Sequence, residues 1–170
     1  ATAGLTRRRR VLESPCGRIA AVDGKKVLNF ASNDYLGLAG NAEIARALAD
    51  GAVQWGAGSG ASHLVSGHLA PHEALEKEIA EFTGFPRALT FSTGYLANLA
   101  VTPTLAGRGD AVFADKLNHA SLIDAMQLAK ANGAEVQRYP HNDVAALEKL
   151  LAASSAKHKL IVTDAVFSMD

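Results

Sequence analysis

The chain has 170 residues, of which 48% are hydrophobic, and its 17 basic and 17 acidic side chains give a formal net charge of zero at pH 7. This length and apolar content suffice for a globular domain with a sizeable core and argue against disorder. The balanced charge lacks the basic excess that binding to DNA or RNA needs, so we expect no nucleic-acid partner.

The cysteine count and the hydropathy pattern indicate the cellular compartment. Cys16 is the only cysteine and cannot form an internal disulfide, which is typical of a reducing compartment and argues against a structural zinc site. No stretch has the roughly 20 apolar residues of a membrane span, so we expect a cytoplasmic protein without membrane contact. The chain opens without Met and stops at Asp170 just after a strand-like segment, and we therefore expect a fragment of a longer protein.

The first third of the chain predicts a hairpin, a helix and a glycine-rich loop. RIAAV (18–22) and VLNF (27–30) flank Asp23-Gly24, a strong hairpin signal. Apolar residues at helical spacing predict a helix over 42–54, and Pro71 begins another helix that Gly84 ends. The glycine loop between them, 56–67, is neither a Walker A motif nor a dinucleotide fingerprint. A plain flexible loop and a loop that lies close to a ligand both stay open.

From residue 87 the hydrophobic period alternates between that of strands and that of helices. Strands are predicted at 87–92, 110–114, 135–139 and 159–165, and helices at 94–106, 119–131 and 143–153. Pro103 should kink the first of these helices or end it early. The alternation predicts an α/β fold, a mostly parallel sheet flanked by helices, with the small antiparallel pair before it. We divide the chain into an N-terminal segment, 1–40, and the first part of a large α/β domain, 41–170.

Three positions are candidates for a shared binding site. FSTGYLAN (91–98) puts Gly94 at a helix start directly after a predicted strand, where unpaired N–H groups favour an anion. His119 begins the helix after the next strand, and Ser168 follows the last strand. Because the carboxyl ends of parallel strands share one edge of a sheet, all three are expected at the same edge. An ordinary capped helix and a packing histidine are the alternatives, and the spacing of the other histidines does not predict a metal site.

Several long motifs together resemble a known family. NFASNDYLGLAG, GSGASHLVSGHLAPHEALE, FSTGYLANLA, LNHASLIDA and TDAVFSMD, in this order and spacing, resemble the N-terminal half of the α-oxoamine synthases. These are pyridoxal-phosphate (PLP) enzymes with the aspartate-aminotransferase fold. The resemblance runs from about residue 7 to residue 170 and implies a PLP-dependent transferase fold and a homodimer.

The resemblance also implies roles for individual residues. Gly94 and Tyr95 match the pair that holds the cofactor phosphate or its neighbourhood. His119 matches the histidine that stacks on the cofactor ring and meets the substrate, and Ser168 matches a serine that hydrogen-bonds the cofactor. Arg7 matches the first arginine of a basic cluster, which would grip the substrate carboxylate, although a solvated charge run is an equal alternative.

The same resemblance implies a reaction and shows which catalytic residues of the family have no match in this chain. The SGHLAPH form of the glycine loop is most similar to the family member that condenses L-alanine with pimeloyl-CoA or a pimeloyl-carrier thioester, releasing CO2. Glycine C-acetyltransferase and a non-catalytic α/β binding module are the alternatives. None of the eight lysines matches the family's Schiff-base lysine motif, and the aspartate that pairs with the pyridinium nitrogen is also missing. We therefore expect this chain to be inactive alone.

Overall fold

The computed structural model describes residues 8–168 of the chain. These residues form two compact units that divide between Ala70 and Pro71. This division by compactness does not test the boundary predicted after residue 40, which stays a prediction.

The first unit begins with the predicted hairpin. Strands β1 (Ile19–Val22) and β2 (Lys25–Leu28) pair antiparallel. Asp23 and Gly24 both have positive φ, 51° and 71°, as a two-residue turn matched to strand twist requires. The hairpin prediction is confirmed, with the second strand two residues earlier than expected.

A capped helix and the glycine loop complete this unit. Helix α1 (Ala42–Trp55) starts where the side chain of Asn41 accepts hydrogen bonds from the N–H groups of Glu43 and Ile44. The glycine loop contains a short π-helix, His63–Gly67, that the sequence did not indicate. A Cβ at Gly67 would lie 1.8 Å from the carbonyl oxygen of Ala61, so this part of the loop needs glycine for close backbone packing.

The second unit has a three-stranded parallel sheet. Its strands are β3 (Ala111–Asp115), β4 (Glu135–Tyr139) and β5 (Lys159–Val162), in the order β4-β3-β5. The helices are α2 (Ala70–Thr83), α3 (Gly94–Leu105), α4 (Ala120–Ala131) and α5 (Val144–Ala153). The predicted α/β fold is confirmed, and Pro103 lies in the last turn of α3, two residues before that helix ends.

The core lies on both sides of β3, whose five residues are all buried. Val112 and Ala114 pack with Leu122 and Met126 of α4 on one face of the sheet. The chain moves from β3 outward to β4 and then back across to β5. Because such crossovers are right-handed, this reversal places α4 and α5 on opposite faces, as a sheet buried on both sides requires.

Two strand predictions need correction. Residues 87–92 form no strand in the described part of the chain, because no neighbouring strand pairs with them. The N–H and hydroxyl of Thr90 instead bond to the carboxylate of Glu76, both at 2.9 Å. Strand β5 ends at Val162 rather than at residue 165, because its last pair with β3 is Val162 with Ala114 and the chain then turns away.

Among the helices of residues 8–168, none has the length and apolar character needed to cross a bilayer.

Candidate functional site

The site is built around the start of α3. Thr93 caps this helix, and its hydroxyl accepts from the N–H of Leu96 at 3.1 Å. Gly94 is the first helical residue, and a Cβ there would meet no described atom within 4 Å. The helix N-terminus, where N–H groups and a partial positive charge point outward, therefore faces open space beside Gly94.

Tyr95 follows Gly94 and is tied to α4. Its hydroxyl donates a hydrogen bond to the carboxylate of Asp124. This bond, followed by a smaller effect of burial and the charge of Asp124, raises the pKa of Tyr95 above 10.0, so the phenol stays protonated at neutral pH. Sequence reasoning missed Asp124, because nothing in a helical aspartate indicates a partner 29 residues earlier in the chain.

His119 lies beside Tyr95 and caps α4. The two ring centroids are 6.5 Å apart with an interplanar angle of 78°. The backbone N–H of His119 donates to the carboxylate of Asp164 at 2.7 Å. This bond joins the loop after β3 to the loop after β5 and shows that both leave the sheet at the same carboxyl edge.

A chain of polar side chains behind His119 fixes its imidazole. Nδ1 lies 2.7 Å from the hydroxyl of Ser121 and 3.2 Å from the backbone nitrogen of Ser121. The amide of Asn98 on α3 donates to the same hydroxyl at 2.9 Å. Ser121 is only 1% exposed, so its hydroxyl is shielded from water. Sequence reasoning singled out neither Ser121 nor Asn98.

A second polar cluster sits at the end of β3. The carboxylate of Asp115 accepts from the N–H groups of Leu117 and Asn142, at 2.8 and 2.9 Å, and bonds to Nδ1 of His141 at 3.0 Å. Burial raises the pKa of Asp115, but the hydrogen bonds from Asn142, Leu117 and His141 outweigh it and leave the pKa below 3.8. Asp115 therefore stays ionised while buried and ties together the loops that follow β3 and β4.

An open cleft of about 620 Å³ lies next to this cluster, along the carboxyl ends of all three strands. The ring of Phe167 meets that of His141 edge-on in its wall, with centroids 4.5 Å apart. Asp143 caps α5 by accepting from the N–H of Ala146 at 2.8 Å. This edge of the sheet therefore combines a concave surface with polar side chains.

Most of the site residues predicted from sequence lie within the described part of the chain. The structure brings Gly94, Tyr95 and His119 together through the packing of α3 on α4 rather than through a strand before Gly94. Ser168 occupies an exposed turn after β5, directly beyond Phe167. Arg7 lies outside the described residues. The roles assigned to these residues stay predictions.

Comparison with known proteins gives the family. The aminotransferase class I and II family matches residues 25–170. An 8-amino-7-oxononanoate synthase of Dechloromonas aromatica (strain RCB) is 90% identical over all 170 residues, which make up 44% of that relative. The chain thus spans less than half the length of this curated relative.

Solved structures agree on the fold. A serine palmitoyltransferase variant from S. paucimobilis, with bound PLP-myriocin aldimine, matches with a TM-score of 0.87 and 31% identity over 94% of this chain and 40% of that one. The 8-amino-7-oxononanoate synthase of Francisella tularensis matches with a TM-score of 0.67 and 34% identity over 82% of this chain and 37% of that one. The fold of PLP-dependent transferases expected from the motifs is confirmed. The chain belongs to the class I and II aminotransferase family.

Proposed function

We propose that this chain forms part of a PLP-dependent 8-amino-7-oxononanoate synthase, an acyltransferase of biotin biosynthesis. Such an enzyme condenses L-alanine with pimeloyl-CoA, or a pimeloyl-carrier thioester, and releases CO2 and the thiol. The observation that carries the proposal is the 90% identity over the whole chain to a synthase of this name. The serine palmitoyltransferase structure has the higher TM-score, but at 31% identity it speaks for the fold more than for the substrate.

The residues at the start of α3 suit the phosphate of PLP. Helix N-termini bind anions through free N–H groups and the helix dipole. Gly94 leaves space for a ligand to approach this terminus, and the bond to Asp124 holds Tyr95 beside it. In the proposal, Gly94 and Tyr95 bind the phosphate end of the cofactor, and Ser168 supplies a further hydrogen bond.

His119 is the proposed residue over the cofactor ring and the catalytic residue of this chain. Its ring stands at the protein surface next to Tyr95 and is fixed from behind by Ser121, which suits a flat partner. PLP, when bound, supplies the electron sink that stabilises the carbanion of the amino acid. His119 would keep that ring aligned and meet the substrate, and Arg7 would bind the substrate carboxylate.

The setting of the enzyme is also part of the proposal. We expect a cytoplasmic homodimer that uses small-molecule substrates and binds neither nucleic acid nor membranes. Balanced charge and a single cysteine support this setting.

The test uses a chimera that joins these 170 residues to the remaining part of the Dechloromonas aromatica relative. With PLP, the chimera should turn over L-alanine plus pimeloyl-CoA and leave glycine plus acetyl-CoA nearly unused. Preference for the glycine pair would instead indicate glycine C-acetyltransferase activity. His119→Ala should lower kcat by at least about 100-fold and, through loss of the α4 cap, lower the thermal midpoint only modestly, and near-normal turnover would contradict the role of His119.

A further inference from the structure

The imidazole of His119 is held by donors on one side. A backbone N–H can only donate, so the contact of Ser121 N–H with Nδ1, at 3.2 Å, requires Nδ1 to accept and to carry no proton. The hydroxyl of Ser121 lies 2.7 Å from the same nitrogen and must also donate to it. In a neutral imidazole the proton is then on Nε2, across the ring.

Asn98 fixes the direction of the Ser121 hydroxyl. Its amide nitrogen donates to Ser121 Oγ at 2.9 Å and so occupies a lone pair of that oxygen. The hydroxyl proton is thereby directed toward His119. Asn98 is on α3 and Ser121 on α4, so the packing of these two helices sets the hydrogen-bond order Asn98, Ser121, His119.

We propose that Asn98 and Ser121 are positioning residues that hold His119 as the neutral Nε2–H tautomer. Nε2–H is then a fixed hydrogen-bond donor for an anionic oxygen of the ligand, such as the carboxylate of an amino acid. The meaning of this donor for catalysis rests on the proposed function. The tautomer itself is a property of the chain without any cofactor.

The direct test is ¹⁵N NMR of the 170-residue chain, free of cofactor and labelled at histidine. Pyridine-type and pyrrole-type ring nitrogens have well-separated ¹⁵N shifts, and the signals of His119 are those that disappear in His119→Gln. We expect Nδ1 of His119 to be pyridine-type and Nε2 to be pyrrole-type. A proton on Nδ1, or averaged shifts for both nitrogens, would overturn the proposal.

Variants of the supporting residues test the mechanism. Asn98→Asp replaces the donor with an acceptor that attracts the Ser121 proton, so His119 should shift toward the Nδ1–H form. Ser121→Ala should move its shifts toward the average, and Ser121→Thr, which keeps a hydroxyl, should restore them. Thr104→Ala, on the same helix α3 as Asn98, is the matched control and should change nothing, because Thr104 bonds only to Ala100 within that helix among the described contacts. Unchanged His119 shifts in Asn98→Asp, with an unchanged circular dichroism spectrum, would also overturn it.

Kinetics in the chimera then separate this proposal from the proposed function. Asn98→Asp should lower kcat by about tenfold or more while KM and PLP binding change little, since a histidine in the wrong tautomer loses transition-state interactions. A chimera that is inactive with every substrate pair would refute the proposed function and leave the NMR result valid. An active chimera whose kcat is insensitive to Asn98→Asp would refute the catalytic use of the tautomer.

Discussion

Individual side chains hold the loops together at the carboxyl edge of the parallel sheet. Asp115 holds two backbone N–H groups and one histidine although its side chain is only 3% exposed. The sequence offered no direct signal for this, because an aspartate at the end of a strand reads as a turn former. Gly94 and His119 were chosen as candidates from sequence because helix starts have recognisable residues, whereas the contacts of Tyr95 with Asp124 and of His119 with Ser121 depend on helix packing.

The acidic limit of stability should depend on Asp115. Its pKa is lower in the folded chain than the ordinary 3.8, so its ionised form stabilises the fold above that pH. This contribution is lost as the pH falls below 3.8 toward the folded-state pKa. Urea unfolding at pH 7 should show Asp115→Ala destabilised by about 3 kcal/mol, because two backbone N–H groups and His141 lose their buried acceptor.

Near about pH 3 the difference between Asp115→Ala and wild type should shrink, because the unfolded-state carboxyl, with its ordinary pKa of 3.8, is then mostly protonated and the ionised folded form loses part of its advantage. A destabilisation that is equally large at both pH values would show that the charge of Asp115 is not responsible. Asp143→Ala, which removes only the cap of α5, is the control and should cost about 1 kcal/mol at either pH.

Substitution of Gly94 should affect cofactor binding rather than folding. Its backbone lies outside the positive-φ region and a Cβ has free space, so Gly94→Val is expected to fold normally. A branched side chain at the helix start would occupy the space that we assign to the phosphate. PLP binding by the chimera, followed by absorbance, should weaken at least about tenfold, or 1.4 kcal/mol. Gly94→Ala should give a smaller loss, and unchanged affinity in both variants would refute the phosphate assignment.

At the scale of elements, local patterns predicted helices better than strands. A helix satisfies its own backbone, and α1 and α5 therefore agree with prediction to within one residue. A strand exists only where a partner lies beside it, and sequence shows the strand-like segment without showing the partner. Residues 87–92 have strand-like composition, but their Thr90 bonds to a helix side chain instead.

The end of α4 depends on one glycine. Gly133 has a φ of 95°, and a Cβ there would lie 3.3 Å from Cβ of Arg108. Gly133→Ala combines backbone strain with crowding, and we expect it to lower the free energy of unfolding by about 1–2 kcal/mol. Gly107→Ala, in the same unit and with only an ordinary contact of 4.0 Å, should stay within about 0.5 kcal/mol of wild type. Thermal unfolding of both variants would decide this, and equal midpoints would contradict the strain argument.

For the whole molecule, the fold class followed from sequence because alternating periods and several motifs agreed, and the position of the site stays a prediction. The sequence did not predict which large apolar side chains are exposed at the surface. Large apolar side chains such as Phe30, Phe82 and Leu64 are more than 90% exposed, although composition alone predicted an ordinary buried core. Whether such a side chain is buried depends on which parts of a protein pack against it and not on the local sequence pattern. The curated relative is more than twice as long as this chain.

The isolated chain should have no synthase activity. It contains no lysine that matches the family's Schiff-base motif, so PLP would lack its covalent attachment and the reaction its electron-sink geometry. We expect product formation from L-alanine and pimeloyl-CoA at the background rate for the 170-residue chain and clear turnover for the chimera. Turnover by the chain alone that a PLP antagonist abolishes would disprove this expectation.

The central position of β3 in its sheet determines how the second unit unfolds. Its two partners come later in the chain, and closing the β3–β5 pair brings together positions 48 residues apart, such as Ala111 and Lys159. Neither flanking strand can leave without exposing a strand that is buried along its whole length. Amide hydrogens of β3 should therefore exchange with solvent most slowly and only through global unfolding. Their exchange rates would then report the cooperative unfolding of the second unit.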